Sequence, residues 1–95
     1  MIRDKLQEKA PAEVAVAALG YLAGDPERLS RFLAVTGLEP DAIRAVASEP
    51  GFLESVLDYV MSDEELLLAF AQAEGLKPEA VAYAHHRLAG PSFEA

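Results

Sequence analysis

The chain is predicted to be all-α, a compact bundle of about six short helices. Three observations predict it. Proline and acidic or hydroxyl residues stand where helices can start, and glycine stands where they can stop. No run alternates strictly between apolar and polar residues, and β-branched residues are sparse. The chain also matches itself at a shift of 38 residues, pairing 14–46 with 52–84. Ten of those 33 positions are identical without a gap, including Tyr21/Tyr59, Asp25/Asp63, Phe32/Phe70, Gly37/Gly75 and Pro40/Pro78. The expected architecture is two tandem three-helix units, about 11–48 and 49–89, related by a pseudo-twofold. They form one domain over 1–95, with short tails at 1–10 and 90–95.

The first helix is expected over about 11–23, with Pro11 in the first turn and a stop near Gly24. The second begins at Asp25-Pro26-Glu27, an N-cap followed by proline, and ends at Gly37. Leu38 then supplies the apolar contact that often follows a glycine cap. The third begins at Pro40 and fades near Ser48. The fourth covers about 50–61. Ser62 and Glu65 read as a capping box that starts the fifth. Gly75 closes the fifth, Pro78 opens the sixth, and the sixth reaches Leu88 or Ala89 before Gly90-Pro91. In the N-terminal tail, Ile2 and Leu6 are spaced for a helical turn against the bundle.

Periodicity marks the core. Val14, Ala18 and Leu22 lie four apart, as do Phe52, Val56 and Val60. Leu29, Phe32 and Leu33 share one face, and Leu67, Phe70 and Ala71 share the equivalent face. Leu19, Leu57, Tyr21 and Tyr59 add bulk.

Composition excludes several roles. The 95 residues hold one core and leave no room for a second domain. With no cysteine there is no disulfide, thiol nucleophile or thiolate metal site. The longest apolar run, 14–23, is about half of a membrane span, and the N-terminus lacks signal-peptide character. A cytoplasmic protein is expected. The net charge of −8 argues against nucleic acid and against anionic membranes as partners. Residues 45–76 contain seven acids and no Lys or Arg. Such a stretch is either a solvated face or a docking surface for a basic partner.

The two units differ most in their second helices. Arg28, Ser30 and Arg31 correspond to Leu66, Leu68 and Ala69. A helix apolar on all sides is normally buried on all sides. The fifth helix, like 14–23, therefore belongs in the middle of the bundle. Alternatively Leu66, Ala69 and Ala73, together with Leu68, form an interface stripe rimmed by Glu64, Glu65 and Glu74.

No constellation points to catalysis, a cofactor or a metal. Glu54 and Asp58 are four apart and are expected to face solvent or pair with Arg28, Arg31 or Arg44. His85 and His86 are adjacent, so their rings point about 100° apart, and they suit a helix C-terminus better than one metal ion. The serines lack the turn that exposes a nucleophile, and Tyr21, Tyr59 and Tyr83 read as half-buried rings.

Two blocks carry a family likeness. The first runs Leu22-Ala23-Gly24-Asp25-Pro26-Glu27-Arg28-Leu29, then Arg31-Phe32-Leu33-Ala34-Val35-Thr36-Gly37-Leu38. The second is Phe52-Leu53, Val56-Leu57-Asp58-Tyr59, Asp63-Glu64 and Leu66-Leu67-Leu68-Ala69-Phe70. Over roughly residues 12–88 the chain resembles the domain-of-unknown-function family 3572, found mainly in alphaproteobacteria. The resemblance implies an all-α cytoplasmic bacterial protein and brings no activity, ligand or catalytic residue.

Three functions compete on the sequence. The foremost is a small helical protein-interaction or adaptor module that is not an enzyme, acting on a protein partner or by self-association. The second is an acidic decoy for a basic nucleic-acid-binding protein. The third is a small-ligand carrier or enzyme with a pocket between the two units.

Overall fold

The computed structural model describes residues 10–47 and 49–89. The expectations for residues 1–9, 48 and 90–95 lie outside them. The described residues form six helices: α1 (Pro11–Ala23), α2 (Pro26–Thr36), α3 (Pro40–Val46), α4 (Pro50–Met61), α5 (Glu64–Glu74) and α6 (Pro78–Ala89). They contain no strand.

Local chemistry sets the boundaries. Proline stands at the start of α1, α2, α3, α4 and α6, where its missing N–H is not needed. The Asp25 carboxylate accepts the Glu27 N–H at 3.0 Å at the start of α2. Asp63 does the same for α5, accepting from the N–H groups of Glu65 at 3.0 Å and Leu66 at 3.3 Å. The expected Ser62–Glu65 capping box is therefore replaced by a cap one residue later. Ser62 turns back instead, and its hydroxyl donates to the Tyr59 carbonyl at 2.7 Å. Asp63 lies in extended backbone and reaches the free N–H groups first. At the start of α1, the Glu13 carboxylate accepts the Ala10 N–H at 3.3 Å.

Turns at corresponding positions share their geometry. Asp25 has φ −129° and ψ 112°, and Asp63 has φ −129° and ψ 109°. Gly37 and Gly75 close α2 and α5 at φ 76° and 71°, the only positive φ values among the described residues. That left-handed conformation is open to glycine and strained for a residue with a Cβ.

The core is apolar throughout, with no polar side chain buried among the described residues. Val14, Ala15, Ala18 and Leu22 of α1 meet Leu53, Val56, Leu57 and Val60 of α4. Phe32, Leu66, Phe70, Ala71, Leu76, Val81 and Ala84 complete the cluster. α1, α4 and α6 pack on one another most extensively, while α2 leans on α1 and α5 on α4 and α6. Three ring pairs tie the halves together, Phe32 with Phe52 at 6.2 Å and two that correspond to each other. Tyr21 meets Phe70 at 5.7 Å, and Phe32 meets Tyr59 at 5.1 Å. A shift of 38 residues exchanges one pair for the other.

The third helices do not correspond in packing. α6 sinks Val81 and Ala84 between α1 and α4. α3 is seven residues long, buries no residue and has no extensive packing partner. Of the two helices expected in the middle, α1 is central but leaves Val16 half exposed at 52%. α5 lies further out, with Leu68 at 46%.

Asp58 faces solvent, one of the two expected outcomes, with its side chain 74% exposed, and its contact is with His85 of α6 rather than an arginine, Oδ1 to Nε2 at 3.4 Å. The cause is that α4 lies against α6 there, while Arg28 is engaged on its own helix. Glu54 is half-buried and has no ion pair among the described residues. Tyr83 is exposed at 58%, not half-buried. Arg87 stacks over its ring at 5.8 Å and donates to its hydroxyl at 3.2 Å.

Candidate functional site

The candidate interface residues are divided by the helical period. On α5 the buried side chains are Leu66, Phe70 and Ala71, so the core face is anchored by positions four and five apart. Leu66, at 8% exposure, belongs to that core, and it drops out of the exposed stripe expected with Ala69 and Ala73. Leu68 points the other way and is flanked by exposed Glu64, Glu65, Gln72 and Ala73. Ala69 lies between the two faces and is half-buried. The outward side of α5 is thus one large apolar side chain in an acidic and amide setting.

Ala69 and the edge of Leu66 instead line a cleft. It holds about 360 Å³ and is bounded by Arg28 and Arg31 of α2, Tyr59 at the end of α4, Asp63, and Glu65, Leu66 and Ala69 of α5. Arg28 corresponds to Leu66 and Arg31 to Ala69 under the 38-residue shift. The positions at which the two halves diverge most in character therefore face one another. Tyr59 is held by its edge-on contact with Phe32.

The charges of the cleft are arranged by wall. The Arg28 guanidinium donates to Asp25 at 3.1 Å and lies over the Tyr21 ring at 5.1 Å. These two contacts fix the head of a long side chain. Arg31 is exposed and has no ion-pair partner among the described residues. Opposite them, Asp63 is held by the two N–H groups it caps, and Glu65 is exposed. No ion pair spans the cleft among the described residues. The arrangement can hold complementary charges, with an apolar middle formed by Leu66 and Ala69.

The sequence pointed to α5 but not to Arg28, Arg31, Tyr59 or Asp63 as its neighbours. The available signal was the exchange of arginine for apolar residues between equivalent positions. What it lacked was that the two positions meet. Among the described residues no three His, Cys, Asp or Glu side chains gather as metal ligands, and no helix is long and apolar enough to cross a membrane.

A family model described as a protein of unknown function, DUF3572, matches residues 8–91. No curated protein matches the chain, and no solved structure does.

Proposed function

We propose, for a chain that belongs to the DUF3572 family, the role of a small cytoplasmic protein-interaction module without chemistry of its own. The observation that carries the reading is the outward face of α5. The helix is anchored by Leu66, Phe70 and Ala71, so Leu68 can be presented on a rigid element. Glu64 and Glu65 stand beside it at the positive end of the helix, inside a stretch of 32 residues without Lys or Arg. An apolar anchor with a charged rim is how partner helices and loops are commonly received. The partner fitting this face presents a small apolar recess edged by Lys or Arg. The absence of cysteine is in keeping with a reducing compartment.

The test uses the full chain as bait in three forms: wild type, Leu68→Glu and the Glu64→Lys/Glu65→Lys double variant. All three substituted positions are exposed, so the variants are expected to keep the wild-type circular dichroism spectrum, with the melting temperature unchanged for Leu68→Glu and a few degrees lower for the double variant, whose lysines stand at the positive end of α5. Proteins recovered by the wild type and lost by both variants would support the reading. The same recovery from all three baits would remove it. A partner held only through charge would be released between low and high salt, which favours the decoy reading over an apolar anchor.

A further inference from the structure

The α2–α5 cleft carries a second proposal, argued from its own lining. Its two walls bear two guanidinium groups and two carboxylates, and the Asp25 carboxylate behind them takes one N–H of Arg28, leaving Arg31 as the unpaired cation of that wall among the described residues. A simple anion attracted to Arg28 and Arg31 is repelled by Asp63 and Glu65, and a simple cation meets the reverse. A molecule carrying both charges, separated by a short aliphatic stretch, satisfies both walls and lays its middle on Leu66 and Ala69.

Two of the four charged groups are already positioned. Arg28 is held by Asp25 and the Tyr21 ring, and Asp63 is held as the cap of α5. Little conformational freedom is lost when they receive a ligand. Arg31 and Glu65 are exposed and can close on it. The volume of about 360 Å³ stands at the small end of the roughly 300–1,000 Å³ range of ligand clefts, which suits a metabolite better than a polymer.

We infer that the cleft between α2 and α5 binds a small amino-carboxylate zwitterion, its carboxylate on Arg28 and Arg31 and its ammonium on Asp63 and Glu65. The site lies on the flank of α5, away from Leu68, and shares only Glu65 with the interaction face, so Leu68→Glu and Arg31→Gln separate the two readings.

The experiment is an amide NMR titration of the full chain with glycine, β-alanine, 4-aminobutanoate and 6-aminohexanoate, which lengthen the charge separation stepwise. Acetate and methylammonium are the single-charge controls, and a Glu-Lys dipeptide blocked at both ends is the polypeptide control. At least one zwitterion is expected to give saturable shifts at Arg31, Glu65, Leu66 and Ala69 with a millimolar or tighter Kd. Each single-charge control is expected to bind about tenfold more weakly or worse. Arg31→Gln and Glu65→Gln, both at exposed positions, are each expected to weaken the zwitterion about fivefold or more while Leu68→Glu leaves it unchanged. The proposal is overturned if no member of the series saturates or if acetate alone binds as well. It is equally overturned if Arg31→Gln and Glu65→Gln leave binding intact, or if the blocked dipeptide binds more tightly than every free zwitterion.

Discussion

The residues from Pro11 to Val46 and those from Pro50 to Ala89 begin alike and end differently. α1 and α4 form the centre of the bundle, and α2 and α5 leave them through turns with nearly the same dihedral angles. Each third helix then begins with the same Gly-Leu-x-Pro-x-Ala pattern. After Gly75, Leu76 is buried, its N–H bonds to the Ala71 carbonyl at 2.8 Å, and α6 runs for 12 residues with Val81 and Ala84 inside. After Gly37, Leu38 is only half-buried and α3 stops after seven residues. Ile43 and Val46, the counterparts of Val81 and Ala84, are half-buried, and a pocket of about 290 Å³ remains beside Leu38, Val46 and Phe52. A shared local signal starts the same helix twice, but the depth to which a helix sinks depends on its neighbours. A twelve-residue α3 would run to residue 51, past Pro50, where α4 begins and where a proline cannot continue the preceding helix.

The largest expected effects test where the halves agree. Phe32→Ala and Phe70→Ala each remove a fully buried ring from one of the exchanged aromatic pairs. Each should cost about 3–5 kcal/mol in urea denaturation, enough to leave either variant at the edge of unfolding. A large loss for one and a small loss for the other would break the correspondence of the cores.

A smaller effect tests where they differ. Val81→Ala empties space in the core, and a loss of about 2 kcal/mol is expected. Ile43→Ala removes more carbon from a half-buried position, yet is expected to lose less than about 1 kcal/mol. Equal losses would mean that α3 is docked as firmly as α6. Hydrogen exchange gives the same comparison without substitution, with the α3 amides expected to exchange before those of α6.

The smallest effect is at the glycine caps. Gly37→Ala and Gly75→Ala meet no atom within 4 Å, so only the positive φ opposes them. About 1 kcal/mol is expected for each, in equal measure, from the shift in melting temperature. A Gly75→Ala loss several times larger would show that the Leu76 turn is more tightly coupled to the core than its dihedral angle implies.

Much of the fold was legible because helix ends are set by residues close to one another in the chain. Pro11, Asp25, Pro26, Gly37, Pro40, Gly75 and Pro78 mark ends in the structure as they did in the sequence. Where two adjacent residues competed to cap α5, Asp63 won over Ser62 by the reach of its carboxylate in extended backbone. The candidate site was legible only in part. Hydrophobic residues at Leu66, Leu67 and Leu68 are indistinguishable by type; about 100° separates successive side chains, and the packing of α5 on α4 and α6 decides that Leu66 is inside and Leu68 outside.

The sequence by itself determined the helical class, the six helix boundaries to within a residue or two, the core positions Val14, Ala18, Leu22, Val56, Leu57 and Val60 but not Ala15 or Leu53, and the acidic character of the chain. All of these follow from short-range chemistry: caps, missing N–H groups, spacing and charge. Phe52, expected in the core, is only partly buried. Only the tertiary structure decided that α6 is buried and α3 is not, that Asp58 meets His85, and that Arg28 and Arg31 face Asp63 and Glu65 across a cleft. Those outcomes depend on which elements meet, and residues more than 25 positions apart in the chain carry no local mark of the partner that packing will bring to them.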